Sequence, residues 1–522
     1  MRSVAEPVAD VAPENVRAWV RHLGREVDPV ALRAELARGS LTEAFHRTAD
    51  EQPDRVALQV GETRITHGEL DAAAACLGGW MRDRGVRAGD RVLVTGRTSV
   101  ELVLAYLGVL RAGAAMVPAD PGSTAGELAH LIADSGAVAA WADAEPLEHL
   151  RGHDLRFAAA LRDLRVAATE GEPLAPAGAS DDLAMVAYTS GTTGPPKGVS
   201  LSHGNVLASL RAVMGAWRWR RDDVLVHGLP LSHQHGLSGV QVGLLAASRA
   251  VLLERFEPAR LCEAVHSAGA TVVFAVPAMY ERLLGWEGFA GADLGSVRLW
   301  VSGSAPLAPG VAARLSERLG ELPLERYGST ETGLSVSNLH DGPRKAGSVG
   351  LPLPGLELAL SGEGEILLRG PQVFAGYWGQ PDTTADAFTG DGWFRTGDLG
   401  RLDDDGDLAI TGRIKELIIS GGLNVSPREV ELALEEHPCV SRAAVVGVPS
   451  ERWGEQVVAF VVPDAGGDAE EDALIRHVRE RLSAHKCPKQ VFAVDALPVG
   501  DTGKVRRAEL VELAEQRTKE AS

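Results

Sequence analysis

The stretch from Tyr188 to His203, YTSGTTGPPKGVSLSH, combines residue types that can bind a polyphosphate. Hydroxyl groups and the backbone N–H groups of glycine-rich turns donate hydrogen bonds to phosphate oxygens, and a lysine adds positive charge. The stretch is not a Walker-type loop, because Pro196 precedes Lys197 and Gly198 follows it. It predicts a different phosphate-binding loop, with a surface linker as the alternative. The candidate phosphate ligands are Thr189, Ser190, Gly191, Thr192, Thr193, Gly194 and Lys197.

Five further stretches carry polar, charged or glycine residues beside apolar segments. Ligands of open α/β sheets bind beyond the carboxyl ends of the strands. If several of these loops converge on one cleft, they would form a nucleotide site. The stretches are RLWVSGSAPLAP (298–309), LPLERYGSTETG (322–333), GWFRTGDLG (392–400), GRIKELIISGGLNVSPREVE (412–431) and PVGDTGKVRR (498–507).

Arg326 lies in LPLERYG, a segment with the pattern of a strand. Side chains alternate between the two faces of a strand, so Arg326 shares a face with Leu322 and Leu324. A guanidinium on an apolar face needs an anionic partner, because burying an unpaired charge is costly. That partner is either a carboxylate of the protein or a second carboxylate on a substrate, which arginine can bind with two parallel hydrogen bonds. Both alternatives stay open on the pattern alone.

The elements that carry these stretches alternate between helical and extended patterns from about Leu41 onward. RVALQVGETRITHGELDAAAACLGGWMRDRGV predicts two short strands and a helix, and SVELVLAYLGVLRAGAAMVPADP predicts a helix followed by a buried strand. Such alternation is typical of parallel α/β layers. The segment EGEPLAPAGASDD, at 170–182, predicts a surface connector.

The pattern changes near position 355, where LELALSGEGEILLRG and GDLAITGRIKELIIS indicate β-structure. A separate small unit follows, and we place its boundary at about Thr411–Lys415. The first helix of this unit is predicted in NVSPREVELALEEHP, with a capping box in which Ser426 caps, Pro427 occupies the first turn and Glu429 returns the bond. Residues 1–40 are short and helix-prone, which indicates an appendage.

Charge and composition exclude several classes of function. The chain has 522 residues, a net charge of −19 and a pI of about 5.3, whereas nucleic-acid binding needs a basic surface. The one basic-aromatic run, Arg218–Arg221, is predicted to be a solvated helix end. The four cysteines form no CxxC pair, which argues against a disulfide framework or a zinc site. No signal-peptide pattern and no membrane-spanning run is present, so the sequence predicts a protein of the reducing cytoplasm.

Together these stretches resemble the AMP-forming adenylate superfamily, which comprises acyl-CoA synthetases, luciferases and peptide-synthetase adenylation domains. The resemblance covers the chain from about residue 41. It implies an α/β fold, with a large N-terminal domain of α/β subdomains that includes a small β-barrel-like part, and a small mobile α+β C-terminal domain. The implied divisions are an extension at 1–40, the large domain at 41–412, a hinge at 413–415 and the small domain at 416–522. The implied cofactors are ATP, Mg²⁺ and CoA.

The resemblance also implies a role for each motif. The loop from Thr189 to Lys197 would bind the β- and γ-phosphates, Thr330 would contact the α-phosphate, and Glu331 would bind Mg²⁺. Lys504 would bridge the acyl carboxylate and the α-phosphate. The nucleoside would be bound by Gly303, Ser304, Ala305, Pro306, Tyr327 and Gly328 around the adenine, and by Asp398 and Arg413 at the ribose.

The implied reaction has two steps, and the positive charges of the implied site would assist the first of them. In the first, a carboxylate attacks a phosphate, and two like charges about 4 Å apart repel by roughly 4 kcal/mol at an effective dielectric of 20. Mg²⁺ and the Lys504 ammonium would neutralise that repulsion. In the second, the CoA thiolate displaces AMP after the small domain rotates about Lys415, so that the loop of Gly421 and Gly422 replaces Lys504. An enzyme that loads an acyl-carrier protein and a non-catalytic nucleotide-binding regulator stay open as alternatives.

Within the superfamily, GLPLSHQHGL, SGSAPL and ERYGSTETGLSVSNLHDGPRKAGSVGLPLPG resemble malonyl-CoA synthetases. That resemblance implies that Arg326 binds a distal carboxylate of the substrate. It places His233 and His235 in the same pocket, together with Ser302; a packed, hydrogen-bonded histidine pair is the alternative. The chain departs from the subfamily at Ser329, where methionine is usual, and at PVGDTGK, where PRNxxGK is commoner. Malonate, methylmalonate and a larger pathway-specific acid therefore stay open as substrates.

Overall fold

The computed structural model describes residues 11–189, 196–450, 452–464, 470–500 and 504–520. Many of its helices begin at a proline or at a serine or threonine cap, as the preferences of helix N-termini predict. The helices are α1 (Pro13–Leu23), α2 (Pro29–Leu36), α3 (Leu41–Glu51), α4 (His67–Asp83), α5 (Val100–Arg111), α6 (Ala125–Ser135), α7 (Ala144–His149), α8 (Leu164–Glu170), α9 (His203–Ala216), α10 (Gln234–Ala246), α11 (Pro258–Ala268), α12 (Pro277–Leu284), α13 (Pro309–Leu319), α14 (Pro381–Asp386), α15 (Pro427–Glu435), α16 (Glu471–Arg479) and α17 (Arg507–Glu520).

The strands of the described ranges form four sheets. They are β1 (Val56–Val60), β2 (Thr63–Thr66), β3 (Arg91–Thr95), β4 (Ala115–Ala119), β5 (Ala139–Ala142), β6 (Ala158–Ala160), β7 (Leu183–Thr189), β8 (Lys197–Ser202), β9 (Val224–His227), β10 (Arg249–Leu252), β11 (Val272–Ala275), β12 (Leu299–Ser302), β13 (Leu324–Ser329), β14 (Gly333–Ser337), β15 (Leu351–Pro352), β16 (Glu357–Leu360), β17 (Glu365–Arg369), β18 (Gly376–Tyr377), β19 (Phe394–Leu402), β20 (Leu408–Arg413), β21 (Ile418–Ser420), β22 (Leu423–Val425), β23 (Val440–Ser450), β24 (Gly454–Pro463) and β25 (Gln490–Ala493).

The nine-stranded sheet positions the largest group of polar residues. Its order is β15-β14-β13-β12-β11-β9-β10-β1-β2, and the neighbouring strands β9 to β13 run parallel. Strands β9 to β12 are mostly apolar and buried, as is typical of parallel sheets that helices cover on both faces. His227 and Ser302 end β9 and β12, and Arg326 lies near the same edge on β13. The sheet therefore brings three polar side chains from distant parts of the chain to one edge.

The seven-stranded sheet carries the predicted phosphate loop. Its order is β18-β8-β7-β4-β3-β5-β6, and β7 and β8 form an antiparallel pair in which Thr189 lies opposite Lys197. The loop that joins this pair, at 190–195, lies outside the described residues. The candidate ligands Ser190, Gly191, Thr192, Thr193 and Gly194 therefore lie outside them too.

The β-structure after position 355 forms a four-stranded antiparallel sheet, β16-β17-β19-β20, with a small core of its own. In this sheet Asp398 of β19 lies directly opposite Arg413 of β20. The two α/β sheets and this β-part together confirm the predicted fold class of the large part of the chain.

The segment after β20 has a separate hydrophobic core, built by α15, α16 and the sheet of β21 to β25. Pro427 begins α15 as predicted, but the predicted capping box is wrong. The Ser426 hydroxyl donates instead to the carbonyl of Thr411 at 2.6 Å, and Glu429 accepts a hydrogen bond from Lys486 at 2.7 Å. The serine thus ties the helix to the end of β20 rather than to its own first turn.

The helices α1 and α2 pack on the main body of the protein. Trp19 is fully buried, and its indole N–H donates to the carbonyl of Leu356 at 2.8 Å. Arg33 forms a buried ion pair with Glu357 at 2.7 Å, and Arg211 donates to three carbonyls at the end of α2. Residues 11–40 therefore form part of the body that surrounds α9 and the four-stranded sheet, instead of standing apart from it.

The basic-aromatic run after α9 is less solvated than predicted. Trp219 is only 9% exposed, its indole N–H donates to Ser248, and its ring packs edge-on against Phe274. Arg218 forms an ion pair with Asp341 at 3.1 Å.

In the part of the chain that is described, no helix is both long and apolar enough to cross a bilayer.

Candidate active site

The turn between β13 and β14 holds Thr330 and Glu331. Gly328 lies so close to the carbonyl of Gly333 that a Cβ atom there would collide with it. The hydroxyl of Thr332 accepts a hydrogen bond from Ser335 at 2.7 Å inside the turn. The backbone N–H of Phe374 donates to the Glu331 carbonyl at 2.8 Å, so both halves of this turn are fixed while the Glu331 carboxylate stays half-exposed.

Asp398 of β19 contacts two other predicted nucleotide-binding residues, Tyr327 and Arg413. Its carboxylate is almost fully buried and accepts a hydrogen bond from the Tyr327 hydroxyl at 2.6 Å and one from Arg413 Nε at 2.6 Å. Burial, followed by the nearby Asp398 charge, raises the pKa of Tyr327 well above its usual range. The tyrosine therefore stays a hydrogen-bond donor, and the predicted ribose-binding residues form one network with the predicted adenine-stacking residue.

Lys504 lies within electrostatic reach of this network. Burial and then the positive charge of Arg413 lower its pKa, whereas the carboxylates of Glu416 and Asp398 oppose the shift. Lys415 lies on the 3₁₀ turn Ile414–Glu416, between this network and the small unit, and is exposed. Lys504 is therefore close enough to Asp398 and Arg413 for their charges to act on it.

Lys197 and Glu331 lie on either side of a residue that the sequence analysis missed. Tyr377 of β18 donates its hydroxyl to Glu331 Oε1 at 3.2 Å, and Lys197 Nζ lies 5.0 Å from the centroid of the same ring. Because β18 has only two residues, no strand pattern marks it in the sequence. The glycine before it pairs with β8, and this pairing brings Tyr377 to the predicted phosphate loop.

Arg326 is buried without a partner for most of its guanidinium. It is 7% exposed, and among the described residues neither its Nε nor its Nη2 has a hydrogen-bond partner. The guanidinium lies against Gly303, where a Cβ atom would collide with Nε. Burial lowers the pKa of Arg326 to about 9, so the side chain keeps its charge at neutral pH. A buried, charged and unpaired donor group of this kind is suited to binding an anion.

Two imidazoles share the surroundings of Arg326. His235 packs on Phe274 with ring centroids 5.6 Å apart, and His227 stacks on the same ring at 6.4 Å. The Nε2 atoms of both histidines and the Ser302 hydroxyl are buried with no hydrogen-bond partner in the described ranges. Burial lowers the pKa of His227 to about 4, and burial together with the Arg326 charge lowers that of His235 well below its usual value. Both imidazoles are therefore neutral at pH 7.

The tautomer of His227 follows from its contacts. Its Nδ1 accepts a hydrogen bond from the backbone N–H of Leu229 at 3.2 Å, so the proton of the neutral ring is on Nε2. His227 was not among the predicted site residues. Its position at the carboxyl end of an apolar strand, in DVLVHG, was the available signal.

The remaining predicted residues occupy different surroundings. His235 Nδ1 lies 3.0 Å from the Ser304 hydroxyl, and Ser304 has a left-handed backbone with φ of 70°. His233 precedes α10 on its exposed end, outside the buried cluster. Ala305 and Pro306 continue the turn after β12, partly exposed. Gly421 and Gly422 are exposed on the small unit, and both have the positive φ that favours glycine.

Comparison with known proteins places this site in a family. The model of the AMP-binding enzyme family matches residues 45–378, and that of the AMP-binding enzyme C-terminal domain matches residues 429–504. The chain belongs to the AMP-binding enzyme family. The superfamily resemblance found in the sequence is therefore confirmed.

Three relatives of this AMP-binding enzyme are acid–CoA ligases. It is 36% identical to a feruloyl-CoA synthase of Amycolatopsis over 89% of its length and 97% of that protein. It is 35% identical to an oxalate–CoA ligase of Arabidopsis thaliana, over 90% of its own length and 97% of that protein. A malonate–CoA ligase of Mus musculus is 33% identical, over 88% of each chain. The chain is an AMP-forming acid–CoA ligase, a class that uses ATP, CoA and typically Mg²⁺.

A solved structure has the same architecture. The ATP-bound MatB of Rhodopseudomonas palustris superposes with a TM-score of 0.85 at 36% identity, covering 90% of this chain and 98% of that one. The agreement extends over both the large part of the AMP-binding enzyme and its small C-terminal part. It confirms the predicted fold class, with a large N-terminal domain and a small C-terminal domain. The exact boundaries at 40, 412 and 415 stay predictions.

Proposed function

We propose that this enzyme activates a small dicarboxylic acid, of which malonate is the leading candidate. One carboxylate reacts with ATP, and the other binds to Arg326. The observation that carries this proposal is the buried guanidinium, two of whose nitrogen atoms have no partner among the described residues. The likeness to an oxalate–CoA ligase and a malonate–CoA ligase supports the same substrate class.

The energetics favour a charged substrate group over a neutral one. An unsatisfied buried donor costs about 1–3 kcal/mol, and more when it is charged. The described residues provide no carboxylate as an ion-pair partner for Arg326, so the alternative of an internal ion pair is not supported. A second carboxylate on the substrate would supply both the missing charge and the hydrogen-bond acceptors. An aromatic acid such as ferulate would supply only neutral oxygen acceptors and no second negative charge.

The neighbouring imidazoles fit the same substrate. His227 offers an Nε2–H donor, and the nearby Ser302 hydroxyl is a second unpartnered donor. Because burial keeps both histidines neutral, they add hydrogen bonds without adding repulsive charge beside Arg326. The pocket therefore combines one positive charge with neutral donors, which suits a single carboxylate group.

The residues at the nucleotide side have roles that we propose from the same geometry. Lys504, beside the Asp398–Arg413 pair, would neutralise the approach of the reacting carboxylate to the α-phosphate. Thr330 would donate to that phosphate, and Lys197 would bind the departing phosphates. The Glu331 carboxylate accepts a hydrogen bond from Tyr377 and forms no ion pair among the described residues, so it can serve as a ligand of a hard cation. Mg²⁺ bound there would supply Lewis-acid charge.

The second half-reaction would require the small unit to move. Gly421 and Gly422 lie on an exposed loop, whereas Lys504 is influenced by the charges of Arg413 and Asp398. A rotation about Lys415 would exchange the two and open a path for the CoA thiol. CoA is the proposed acceptor because the relatives named above are CoA ligases. Transfer to a carrier protein is the alternative acceptor.

An ATP–pyrophosphate exchange assay over matched acids tests the substrate proposal. We expect exchange with malonate to exceed exchange with propionate by about a hundredfold or more in kcat/KM, because only malonate satisfies Arg326. Oxalate, methylmalonate and succinate would define the length of the pocket, and ferulate and indoleacetate would represent the aromatic alternative. Equal or better exchange with monocarboxylic or aromatic acids would contradict the proposal. Repeating the assay with CoA and product analysis would identify the acceptor.

A further inference from the structure

Tyr377 is held in place by backbone contacts on both sides of its strand. It lies opposite Val199 of β8, and the N–H of Trp378 donates to the carbonyl of Gly198 at 2.7 Å. Its own N–H donates to the Thr384 hydroxyl at 2.9 Å. The strand that carries Tyr377 is therefore anchored to the strand that begins at Lys197.

The phenol ring lies between two groups of opposite charge. Its hydroxyl donates to Glu331 Oε1 at 3.2 Å, and its face lies 5.0 Å from Lys197 Nζ. Phe374 packs edge-on against the same ring, with centroids 4.9 Å apart, and limits its movement. The ring thus contacts both charges while it is itself held by an aromatic neighbour.

Lys197 and Glu331 form no ion pair with each other, nor with any other residue of the described ranges. Opposite charges brought this close to one tyrosine would ordinarily pair, because the attraction is strong in a partly buried site. Such a pair would neutralise both groups and would have to be broken before a phosphate or a cation could bind. A hydrogen bond to a neutral phenol and a cation–π contact are weaker, so a ligand can replace them more readily.

We propose that Tyr377 is a positioning residue that keeps Lys197 and Glu331 apart, so that each charge remains available. Lys197 then stays free for the phosphates and Glu331 for the divalent cation. The proposal rests on the nucleotide-binding roles that the proposed function gives to these two residues. It does not depend on which acid is the substrate.

A zero-length cross-link tests the separation directly. A carbodiimide couples a lysine amine to a carboxylate only when the two are in contact. In Tyr377→Leu, which removes both the hydroxyl and the ring, we expect a Lys197–Glu331 cross-link that mass spectrometry detects and that the wild type lacks. In Tyr377→Phe the ring stays, and we expect no cross-link. Tyr106→Phe is the matched control, because it removes another tyrosine hydroxyl, which accepts a hydrogen bond from the side-chain amide of Gln241.

Binding of Mn²⁺ with ATP, measured by electron paramagnetic resonance and calorimetry, gives the second readout. We expect the apparent Kd to rise at least about tenfold in Tyr377→Leu, equivalent to about 1.4 kcal/mol, and less than about threefold in Tyr377→Phe. A cross-link in the wild type as strong as in Tyr377→Leu would overturn the proposal. A higher apparent Kd in Tyr377→Leu without any cross-link would also overturn the proposal, because that result indicates only a structural role for Tyr377. Failure of the wild type to bind ATP would instead contradict the nucleotide-site assignment itself.

Discussion

Arg298 lies directly before β12 and Arg326 lies on β13 of the same sheet, and the hydrogen-bond partners of these two arginines differ completely. Arg298 donates to both carboxylate oxygens of Asp223, at 2.9 and 2.6 Å, and to the carbonyls of Trp217 and Arg218. Arg326 has no partner for Nε or Nη2 in the ranges that the structure describes. Fold stability alone explains the first arrangement, because every buried charge is paired. It does not explain the second.

The difference separates a structural charge from a functional one. Asp223 also accepts hydrogen bonds from the Thr271 hydroxyl and the backbone N–H of Arg220, so it organises three segments around Arg298. Burial alone would raise the pKa of Asp223, but the hydrogen bonds from Arg298 and Thr271 hold it below its usual value. Among the described residues, no carboxylate forms an ion pair with Arg326 and no group bonds its Nε or Nη2. Its unsatisfied donors are the property that a binding site for an anion requires.

The largest expected effect on stability is at the paired arginine. Asp223→Ala leaves Arg298 without its counter-charge, and removing one partner of a buried pair costs about 3–5 kcal/mol. Urea unfolding should show that loss. Arg326→Met is the matched comparison and should change the free energy of unfolding by less than about 1 kcal/mol, because no protein partner is lost. A loss of several kcal/mol in Arg326→Met would show that Arg326 has a structural partner after all.

A smaller effect is expected at a buried histidine that has a protein partner. His203 Nδ1 accepts a hydrogen bond from the backbone N–H of Leu41, and burial lowers its pKa to about 4, against the opposing charges of Asp182 and Glu43. Because the unfolded chain takes up this proton near pH 6.5, stability is lost as the pH falls from about 6.5 toward 4.

The variant His203→Asn tests this linkage. Asparagine keeps an acceptor for Leu41 but removes the titrating group. We expect the decrease in unfolding free energy between pH 7 and pH 5 to be smaller by about 2 kcal/mol than in the wild type. His266→Asn, at an exposed position, is the control. An unchanged pH dependence in His203→Asn would mean that His203 does not contribute this loss.

The motifs proposed to contact the nucleotide could be recognised in the sequence, because each is a short stretch of distinctive residue types. The structure brings Tyr327, Asp398, Arg413 and Lys504 close together, although 177 positions separate the first of these residues from the last. The alternation of helices and strands gave the fold class for the same reason. A local sequence pattern is sufficient to predict a helix, a strand or a short motif, because these features depend on neighbouring residues.

Features that depend on tertiary contacts could not be predicted. The Ser426 hydroxyl bonds the Thr411 carbonyl instead of its own helix, and no helix pattern encodes that choice. The sequence shows that Trp19 belongs to an apolar side of α1, but it does not show that the indole contacts the carbonyl of Leu356. Tyr377 lies on a strand of two residues, too short for any periodicity. Likewise, strand alternation placed Arg326 on an apolar face, but only the three-dimensional structure shows that no carboxylate of the described residues pairs with it.

The discrimination between a dicarboxylic and a monocarboxylic acid in Arg326→Met tests the central claim most directly. The account predicts that kcat/KM for malonate in pyrophosphate exchange falls by about a hundredfold or more, because the distal carboxylate loses its charged partner. For propionate, kcat/KM in Arg326→Met should change by less than about threefold. Arg282→Met, on the exposed surface, should leave kcat/KM unchanged for both acids. Equal losses for malonate and propionate in Arg326→Met would contradict the account.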